Sequence, residues 1–241
     1  MTIVIPMAGR GERFLQAGFP APKMLIEAQG KKLLQWGVDS LPLEECDQLI
    51  FVALQEHEDA FGLSEYISDW YREAAPLDFI FLPDYNCGQV ETVLAARSLI
   101  EPDEPLLIFG LETAFDSPTL KGLLADEMND GVLGTFGSTD PRFSYAATNA
   151  QGIVTRVAVQ EPISDHALTG LFHFRRAQDF LEVATEAVKA NARTKGEFSV
   201  APMYNALITR GYRFVLDACA DYRSIGTPEE VAEFQNEVVD S

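Results

Sequence analysis

The sequence predicts an α/β fold: a mainly parallel central sheet with helices on both faces, followed by a small C-terminal part that carries a hairpin. Two observations support this prediction. Over roughly the first 140 residues, short runs rich in β-branched and aromatic residues alternate with longer segments whose apolar residues recur at helical spacing. This alternation is typical of parallel sheets covered by helices. The 241 residues, 47% of them apolar, suffice for one large domain.

The predicted elements of the first half follow one another regularly. Strands are expected at residues 2–7, 48–54, 78–82, 106–109 and 132–136, and helices between them at residues 32–41, 58–74, 89–100 and 117–128. The carboxyl ends of parallel strands meet along one edge of a sheet, and open α/β sheets bind their ligands there. The loops that follow these strands are therefore where we expect a functional site.

The second half has a different pattern. Strands are expected at residues 144–148 and 153–159 around the turn sequence NAQG, which is typical of a hairpin, then a strand at 168–174, helices at 177–189 and 201–210, and a strand at 213–217. Near the end, Thr227, Pro228 and Glu230 form the pattern of a helix capping box. No low-complexity linker or repeat divides the chain, so we expect a single domain over residues 1–241.

The charge of the chain limits its partners. The chain has 18 basic and 37 acidic residues, a net charge of −19, and both nucleic acids and anionic membranes require attraction by a basic surface. We therefore expect neither as a partner. A small anionic ligand stays compatible with the sequence, because local cations and backbone N–H groups act at short range.

Hydropathy and cysteine spacing indicate a cytoplasmic location. No stretch approaches the roughly 20 apolar residues of a membrane span, and the N-terminal apolar run is too short for a secretion signal. Cys46, Cys87 and Cys219 are widely spaced and lack CxxC or Cys/His clustering, which is typical of free thiols in a reducing compartment. We expect a soluble, cytoplasmic protein.

A glycine-rich, basic loop directly follows the first strand. Its sequence, MAGRGERFLQAGFPAPK (residues 7–23), combines glycines that let backbone N–H groups approach phosphate oxygens with cations that would neutralise them. It is not a Rossmann fingerprint, which needs a third glycine and an immediate helix where this chain has two prolines, nor a P-loop, which needs Gly-Lys-Ser/Thr. By itself the loop fits an anion site or a plain turn equally well.

A series of blocks along the chain resembles one family. The blocks GRGERF…APKMLIEAQGKKLL, GQVETVLAARSLIEPDEPLLIF, STDPRFSYAATNAQGIVTRVAVQEPISDHALTGLFHFRR, GEFSVAPMYNALI and GTPEEV occur in the order seen in sugar-phosphate nucleotidyltransferases, in a branch associated with capsule and surface-polysaccharide biosynthesis. The resemblance covers nearly the whole chain. It implies a nucleotide-diphosphosugar-type, Rossmann-like sandwich with a nucleotide-binding half at about residues 1–140 and a sugar-phosphate-binding half at about 141–241.

The resemblance also implies a reaction and its residues. A sugar phosphate attacks the α-phosphorus of a nucleoside triphosphate and releases pyrophosphate, with Mg²⁺ as cofactor, which requires mainly positioning and charge neutralisation. Arg13 would contact the departing pyrophosphate, and Lys23 the α-phosphate or the incoming phosphate. Nucleotide contacts are implied for Ala8, Gly9, Arg10, Gly11, Gly88 and Gln89. Contacts with the sugar phosphate are implied for His166, Gly170 and Glu197.

Some of these assignments have ordinary structural alternatives. The Gly88–Gln89 pair, which resembles the base-reading segment, also fits a glycine turn at a helix N-terminus. Glu197 fits a solvated face or a helix cap equally well, and His166 lies at an apolar run without a carboxylate cluster that would make it a metal ligand.

The sequence departs from the family pattern at three places. Glu112 occupies the place of the aspartate that binds Mg²⁺ in the family, and its longer side chain suits a metal that demands strict geometry less well. Asp116 is an alternative ligand, although its position favours a solvated turn carboxylate. Val159–Gln160 replaces a Glu-Lys pair, so one cation for the sugar phosphate is missing. Ser224 replaces a second metal-binding aspartate, and nearby Asp221 has no assigned role.

The sequence thus supports two main hypotheses. The first is a Mg²⁺-dependent nucleotidyltransferase that uses a nucleoside triphosphate and a sugar phosphate or similar ester. The second is a nucleotide-binding or regulatory module that has kept the fold and lost turnover. A glycosyltransferase that uses a preformed nucleotide sugar leaves the cations of the loop without a role. The base, the sugar and the oligomeric state, including a homo-oligomer, stay open.

Overall fold

The computed structural model describes residues 1–85 and 88–237, so Cys87 lies outside the described residues. The strands are β1 (Thr2–Pro6), β2 (Glu27–Ala28), β3 (Lys31–Lys32), β4 (Gln48–Leu54), β5 (Leu77–Leu82), β6 (Leu106–Phe109), β7 (Thr113–Asp116), β8 (Gly131–Gly137), β9 (Ser144–Thr148), β10 (Val154–Val159), β11 (His166–Phe174), β12 (Phe214–Ala218) and β13 (Ala220–Ser224). The helices are α1 (Glu12–Gln16), α2 (Leu33–Val38), α3 (Gln55–Phe61), α4 (Leu63–Tyr71), α5 (Gln89–Ala95), α6 (Leu120–Ala125), α7 (Ala177–Lys189), α8 (Met203–Thr209) and α9 (Pro228–Asn236). Short 3₁₀ turns lie at Lys23–Leu25, Leu43–Glu45 and Arg97–Leu99.

Nine strands form one sheet in the order β10-β9-β11-β6-β1-β4-β5, with β8 and then β12 beside β11. The strands β6, β1, β4 and β5 are parallel, as predicted, and β11 joins them in antiparallel pairing to β6. Within this sheet, antiparallel pairs are confined to the strands of the second half and to this junction. The predicted fold class is confirmed.

The central strands are buried on both faces, which is why they read as continuous apolar runs. Successive side chains point to opposite faces, so Val4 of β1 and Ile108 of β6 pack under α5, α7 and α8, whereas Ile3 and Leu107 pack under α2, α4 and α6. The two layers of helices hold the carboxyl edge of the sheet in a fixed arrangement.

A third, smaller apolar cluster joins the two ends of the chain. It consists of Phe14, Ile26, Ala28, Leu33, Ile225, Val231 and Phe234. Phe14 is the buried residue of α1, and Val231 and Phe234 are buried on α9. The C-terminal helix therefore packs directly under the glycine-rich loop.

Several predicted details are confirmed and others differ. The hairpin turn closes with Asn149 N–H donating to the carbonyl of Ile153 (2.9 Å), and Thr227 caps α9 as expected. The helix predicted over 58–74 is instead two helices, because Gly62 adopts a left-handed conformation (φ 61°) between them. The small pairs β2–β3 and β7–β13 were not predicted.

Two further observations concern the expectations of free thiols and of a chain without a membrane span. Within the described part of the chain, Cys46 and Cys219 are free thiols. In residues 1–85 and 88–237, no helix has both the length and the apolar character needed to cross a bilayer.

Candidate functional site

A cleft of about 570 Å³ lies at the carboxyl edge of the parallel strands. It is bordered by the loop after β1, the turn after β6, the start of α5 and the loop before α9. Eight of the residues singled out from the sequence line it: Gly9, Arg10, Gly11, Arg13, Lys23, Gln89, Glu112 and Glu197. The cleft therefore lies at the edge of the sheet where the sequence predicts a functional site.

The glycine-rich loop turns tightly into a short helix. Gly11 is left-handed (φ 64°), and its carbonyl accepts from Phe14 N–H (2.9 Å) at the start of α1. The expectation that no helix follows the loop immediately was wrong, since α1 forms in the five residues after Gly11, ahead of the prolines. Gly9 is exposed, and no atom of residues 1–85 or 88–237 lies within 4 Å of the position that a Cβ there would take. Its backbone therefore faces open space in the cleft.

The cations of the loop have different surroundings. Arg10 pairs with Asp84 (2.7 Å) and Glu56 (3.4 Å), so it ties the loop to the ends of β5 and β4. Arg13 lies on α1 and is exposed, and its side chain makes no hydrogen bond or ion pair with any residue that the structure describes. Arg13 is thus available to an anion, while Arg10 is already engaged by two carboxylates.

Lys23 is positioned by its backbone, and its side chain has no hydrogen-bond or ion-pair partner among the residues that the structure describes. It begins a 3₁₀ turn after Pro22, and the next two residues, Met24 and Leu25, are buried. A Cβ on Gly11 would lie 3.6 Å from the Cβ of Lys23, so the stem of the lysine passes close to the loop. The pKa of Lys23 is lowered, chiefly because of burial. Coulombic attraction to Glu112 and Glu230 acts in the opposite direction, and the charge of Arg13 adds to the lowering.

Glu112 faces the cleft in the turn after β6. Its backbone N–H donates to the carbonyl of Gly110 (2.7 Å), and its own carbonyl accepts from Ile225 N–H (2.8 Å). Its side chain is exposed. Asp116 and Asp221 instead line a second cavity of about 500 Å³, where Asp221 pairs with Arg223 (2.6 Å). Of the carboxylates weighed as metal ligands, only Glu112 lines the cleft.

This donor set fits Mg²⁺ in a particular way. The described residues contain no group of three or more His, Cys, Asp or Glu side chains arranged to hold a metal ion. Mg²⁺ is usually bound by one or two carboxylates, with substrate phosphates and water completing the octahedron. One exposed carboxylate in the cleft would therefore be sufficient if a bound triphosphate supplied the other oxygens.

Gly88 and Gln89 begin α5 at the opposite wall. Gly88 has φ 133°, and Val90 N–H donates to the carbonyl of Phe198 (3.0 Å). The amide of Gln89 lies close to Gly110, since a Cβ there would be 2.7 Å from Nε2. Glu197, which directly precedes Phe198 in the chain, is exposed and lines the cleft.

Replacing Gly88 by alanine should destabilise the fold by about 3 kcal/mol, since the new Cβ combines backbone strain with a clash. It would lie 2.8 Å from the backbone N and O of Phe198. Urea unfolding followed by circular dichroism measures the loss. Gly122→Ala is the matched control, because nothing lies within 4 Å of its Cβ position. Equal stability of Gly88→Ala and wild type would contradict the contact.

The two remaining sugar-phosphate candidates do not line the cleft. The Nε2 of His166 lies 3.7 Å from Asp165 Oδ1, at the start of β11. Gly170 has φ 90°, and its carbonyl accepts from Gly110 N–H (3.0 Å), so it forms the junction between β11 and the turn after β6. Ala8, the last residue before the open part of the loop, is buried.

The cleft also includes residues that the sequence did not single out. Tyr85, Gly110 and Gly226 line it. Gly110 directly follows a predicted strand, so the rule that ligands bind at carboxyl ends could have identified it. Gly226 belongs to the GTPEEV block, which the sequence identifies as a helix start and as part of the family resemblance without assigning a contact to this glycine.

Comparison with solved structures identifies the architecture. The chain superposes with a TM-score of 0.86 on a nucleoside-diphosphate-sugar pyrophosphorylase from Vibrio cholerae RC9, with 28% identity, over 98% of this chain and 100% of the other. The fold is that of the nucleotide-sugar pyrophosphorylases. This likeness supports nucleotidyl transfer as the class of chemistry, and an enzyme of this kind.

Two more distant structures share the pyrophosphorylase fold. A UDP-glucose pyrophosphorylase complexed with UDP-glucose matches with a TM-score of 0.75 and 16% identity, over 98% of this chain and 97% of the other. An apo UDP-glucose pyrophosphorylase matches with a TM-score of 0.77 and 15% identity, over 98% and 96%. At these identities the likeness is one of fold. No protein-family model and no curated protein sequence matches the chain.

Proposed function

We propose that the protein is a nucleotidyltransferase that joins a nucleoside monophosphate, taken from a triphosphate, to a sugar phosphate or a similar phosphate ester. The observation that carries this proposal is the pair Arg13 and Lys23: in an acidic protein, two cations without partners among the described residues border one cleft. The full-length likeness to a nucleoside-diphosphate-sugar pyrophosphorylase supports the same chemistry. A cytoplasmic location and a role in surface polysaccharide synthesis belong to the proposal.

In this proposal the chain acts by positioning and by charge. An oxygen of the acceptor phosphate forms a bond to the α-phosphorus while the bond from the α-phosphorus to the bridging oxygen of the β-phosphate breaks, and pyrophosphate leaves with the electron pair. The open backbone at Gly9 and Gly11 admits the phosphates. Lys23 holds the α-phosphate or the incoming phosphate, and Arg13 neutralises the charge that develops on pyrophosphate.

The other walls of the cleft have roles in recognition. Gln89, at the start of α5, would hydrogen-bond the base, and Glu197 would accept hydrogen bonds from sugar hydroxyls. Glu112 would hold Mg²⁺ together with phosphate oxygens. The metal, when bound, neutralises phosphate charge and orients the triphosphate.

Pyrophosphate release tests the proposal directly. The purified protein is incubated with each of the four ribonucleoside triphosphates, with dTTP, with Mg²⁺ and with a panel of sugar 1-phosphates and other phosphate esters. UTP with glucose 1-phosphate belongs in the panel, because one structural neighbour is complexed with UDP-glucose. We expect release with one base and one acceptor class. Silence across the panel, while a known pyrophosphorylase is active in the same assay, would contradict the proposal.

Replacing Arg13 by alanine should lower kcat/KM by about 10- to 50-fold, because a cation is lost where charge builds up on the leaving group, although water screens an exposed side chain. Initial rates of pyrophosphate release measure the effect. Arg72→Ala is the control, since Arg72 is an equally exposed arginine whose ion-pair partner is Asp69 on α4. A rate unchanged in Arg13→Ala would remove the role assigned to this residue.

Two departures from the family pattern favour a second function, a binding or regulatory module that keeps a nucleotide without turnover: Glu112 replaces the usual metal-binding aspartate, and Val159–Gln160 replaces the Glu-Lys pair. Calorimetric titration with nucleotides, with and without Mg²⁺, separates the two functions. Binding that is independent of the metal and yields no product supports the module, whereas binding that requires Mg²⁺ supports the enzyme.

A further inference from the structure

A carboxylate lies directly behind the wall of the cleft. Glu230, the third residue of α9, is 8% exposed, and its Oε2 accepts from the backbone N–H groups of Gly226 (2.8 Å) and Thr227 (2.9 Å). Its other oxygen pairs with Nη1 of Arg142 at 2.5 Å. Gly226 lines the cleft, so this carboxylate is hydrogen-bonded to a residue of the cleft wall.

Lys23 lines the same cleft as Gly226, whose N–H donates to that carboxylate, and yet Lys23 does not pair with Glu230. Glu230 and Glu112 both attract its ammonium group. Among residues 1–85 and 88–237, however, none accepts a hydrogen bond from the Lys23 side chain or pairs with it within 4 Å. The partners that Glu230 already has are therefore the candidates for what prevents Lys23 from pairing with it.

Contacts within its own loop fix the side chain of Arg142, the ionic partner of Glu230. Its Nε lies 3.0 Å from Asp140 in the same loop, and its guanidinium lies 4.4 Å from the ring centroid of Phe143. That ring packs edge-on against Phe136, with centroids 5.0 Å apart. The arginine is thus fixed by its own loop before it reaches across to α9.

We propose that Arg142 is a positioning residue of the phosphate site, which keeps Lys23 free for an anionic ligand by holding the charge of Glu230. Without Arg142, Glu230 would retain two backbone donors but lose its ionic partner, and an uncompensated buried carboxylate is costly. Lys23, which lines the same cleft as Gly226, carries its ammonium group on a long flexible stem, and we expect it to turn toward the unpaired carboxylate. The ligand would then lose a cation and meet a carboxylate. The inference rests on the proposed function, in that Lys23 is taken to bind phosphate.

The test measures the affinity of four variants for inorganic pyrophosphate, by calorimetry in EDTA so that metal binding does not contribute. Arg142→Gln should bind about tenfold more weakly than wild type. Glu230→Gln should bind as tightly as wild type or more tightly, since its amide oxygen can still accept from the helix N-terminus. The double variant, Arg142→Gln with Glu230→Gln, should return to within about threefold of wild type. Arg156→Gln is the control, because Arg156 pairs with the exposed Glu161 in the β9–β10 hairpin.

The rescue in the double variant distinguishes this role from the alternatives. A double variant as weak as Arg142→Gln would mean that Arg142 contacts the ligand itself, which would overturn the proposal. Equal affinity of Arg142→Gln and wild type would also overturn it, and would leave the proposed function intact if wild type releases pyrophosphate. If Arg142→Gln fails to fold by thermal denaturation, Glu230→Gln decides: weaker binding in that variant overturns the proposal. Absence of pyrophosphate binding in wild type would overturn both the proposed phosphate site and this inference.

Discussion

Replacing Lys23 by methionine is expected to lower kcat/KM for nucleotidyl transfer by about 10²- to 10³-fold, the usual cost of removing one preorganised group that stabilises transition-state charge. Methionine has an unbranched stem similar in length to that of lysine, so the half-buried site should accept it. The neighbouring Met24 and Leu25 remain as anchors of the turn. The effect should therefore be on rate and phosphate affinity, with the free energy of unfolding nearly unchanged.

Initial rates and urea unfolding together check this prediction. Lys189→Met is the matched control: Lys189 is exposed at the end of α7, far along the chain from the loop, and should retain full activity. Lys23→Arg should recover part of the rate, because the charge returns with a different shape. A rate for Lys23→Met within threefold of wild type would show that Lys23 is not a phosphate ligand.

Replacing Glu112 by glutamine is expected to lower the rate by about 10²-fold and to abolish the gain in triphosphate affinity that Mg²⁺ provides. The amide keeps the size of the side chain and loses the negative charge that a hard cation requires. The backbone contacts of Glu112 with Gly110 and Ile225 do not depend on the side chain, so the turn should stay in place.

The control for this prediction lies in the same cleft. Glu12 also borders it, from α1, so Glu12→Gln removes an equal charge without touching the turn after β6. Calorimetry with a triphosphate, with and without Mg²⁺, is the measurement, since it does not depend on turnover. If Glu12→Gln and Glu112→Gln respond alike, the effect is one of overall charge, and Glu112 is not the metal ligand.

The central strands could be predicted because burial on both faces makes them continuous apolar runs. The location of the cleft followed from the same pattern, since β1 and β6 end at one edge of the sheet. The pairs β2–β3 and β7–β13 were missed because each strand is short and its partner is set by tertiary packing. Gly62 could have been recognised as a helix break, since a left-handed residue at that position is most easily glycine.

The electrostatic arrangement of the site was not predictable from sequence. Arg10 and Arg13 are three residues apart in the same loop, and only the fold brings Asp84 and Glu56 to the first of them. Likewise, the sequence places Arg142 in a loop and Glu230 in a helix capping box, and does not indicate that the two side chains pair. A capping pattern identifies the backbone partners of a carboxylate and says nothing about a second partner contributed by a distant loop.

The apolar cluster under the glycine-rich loop has a consequence for synthesis of the protein. Phe14 of α1 packs with Ile225, Val231 and Phe234. Glu230 accepts a hydrogen bond from the backbone N–H of Gly226 in the cleft wall. During synthesis the glycine-rich loop emerges from the ribosome well before α9, and the cleft is complete only after residue 234 has left the exit tunnel. We expect nascent chains to stay inert toward nucleotides until that moment, so that truncated translation products carry no partial activity.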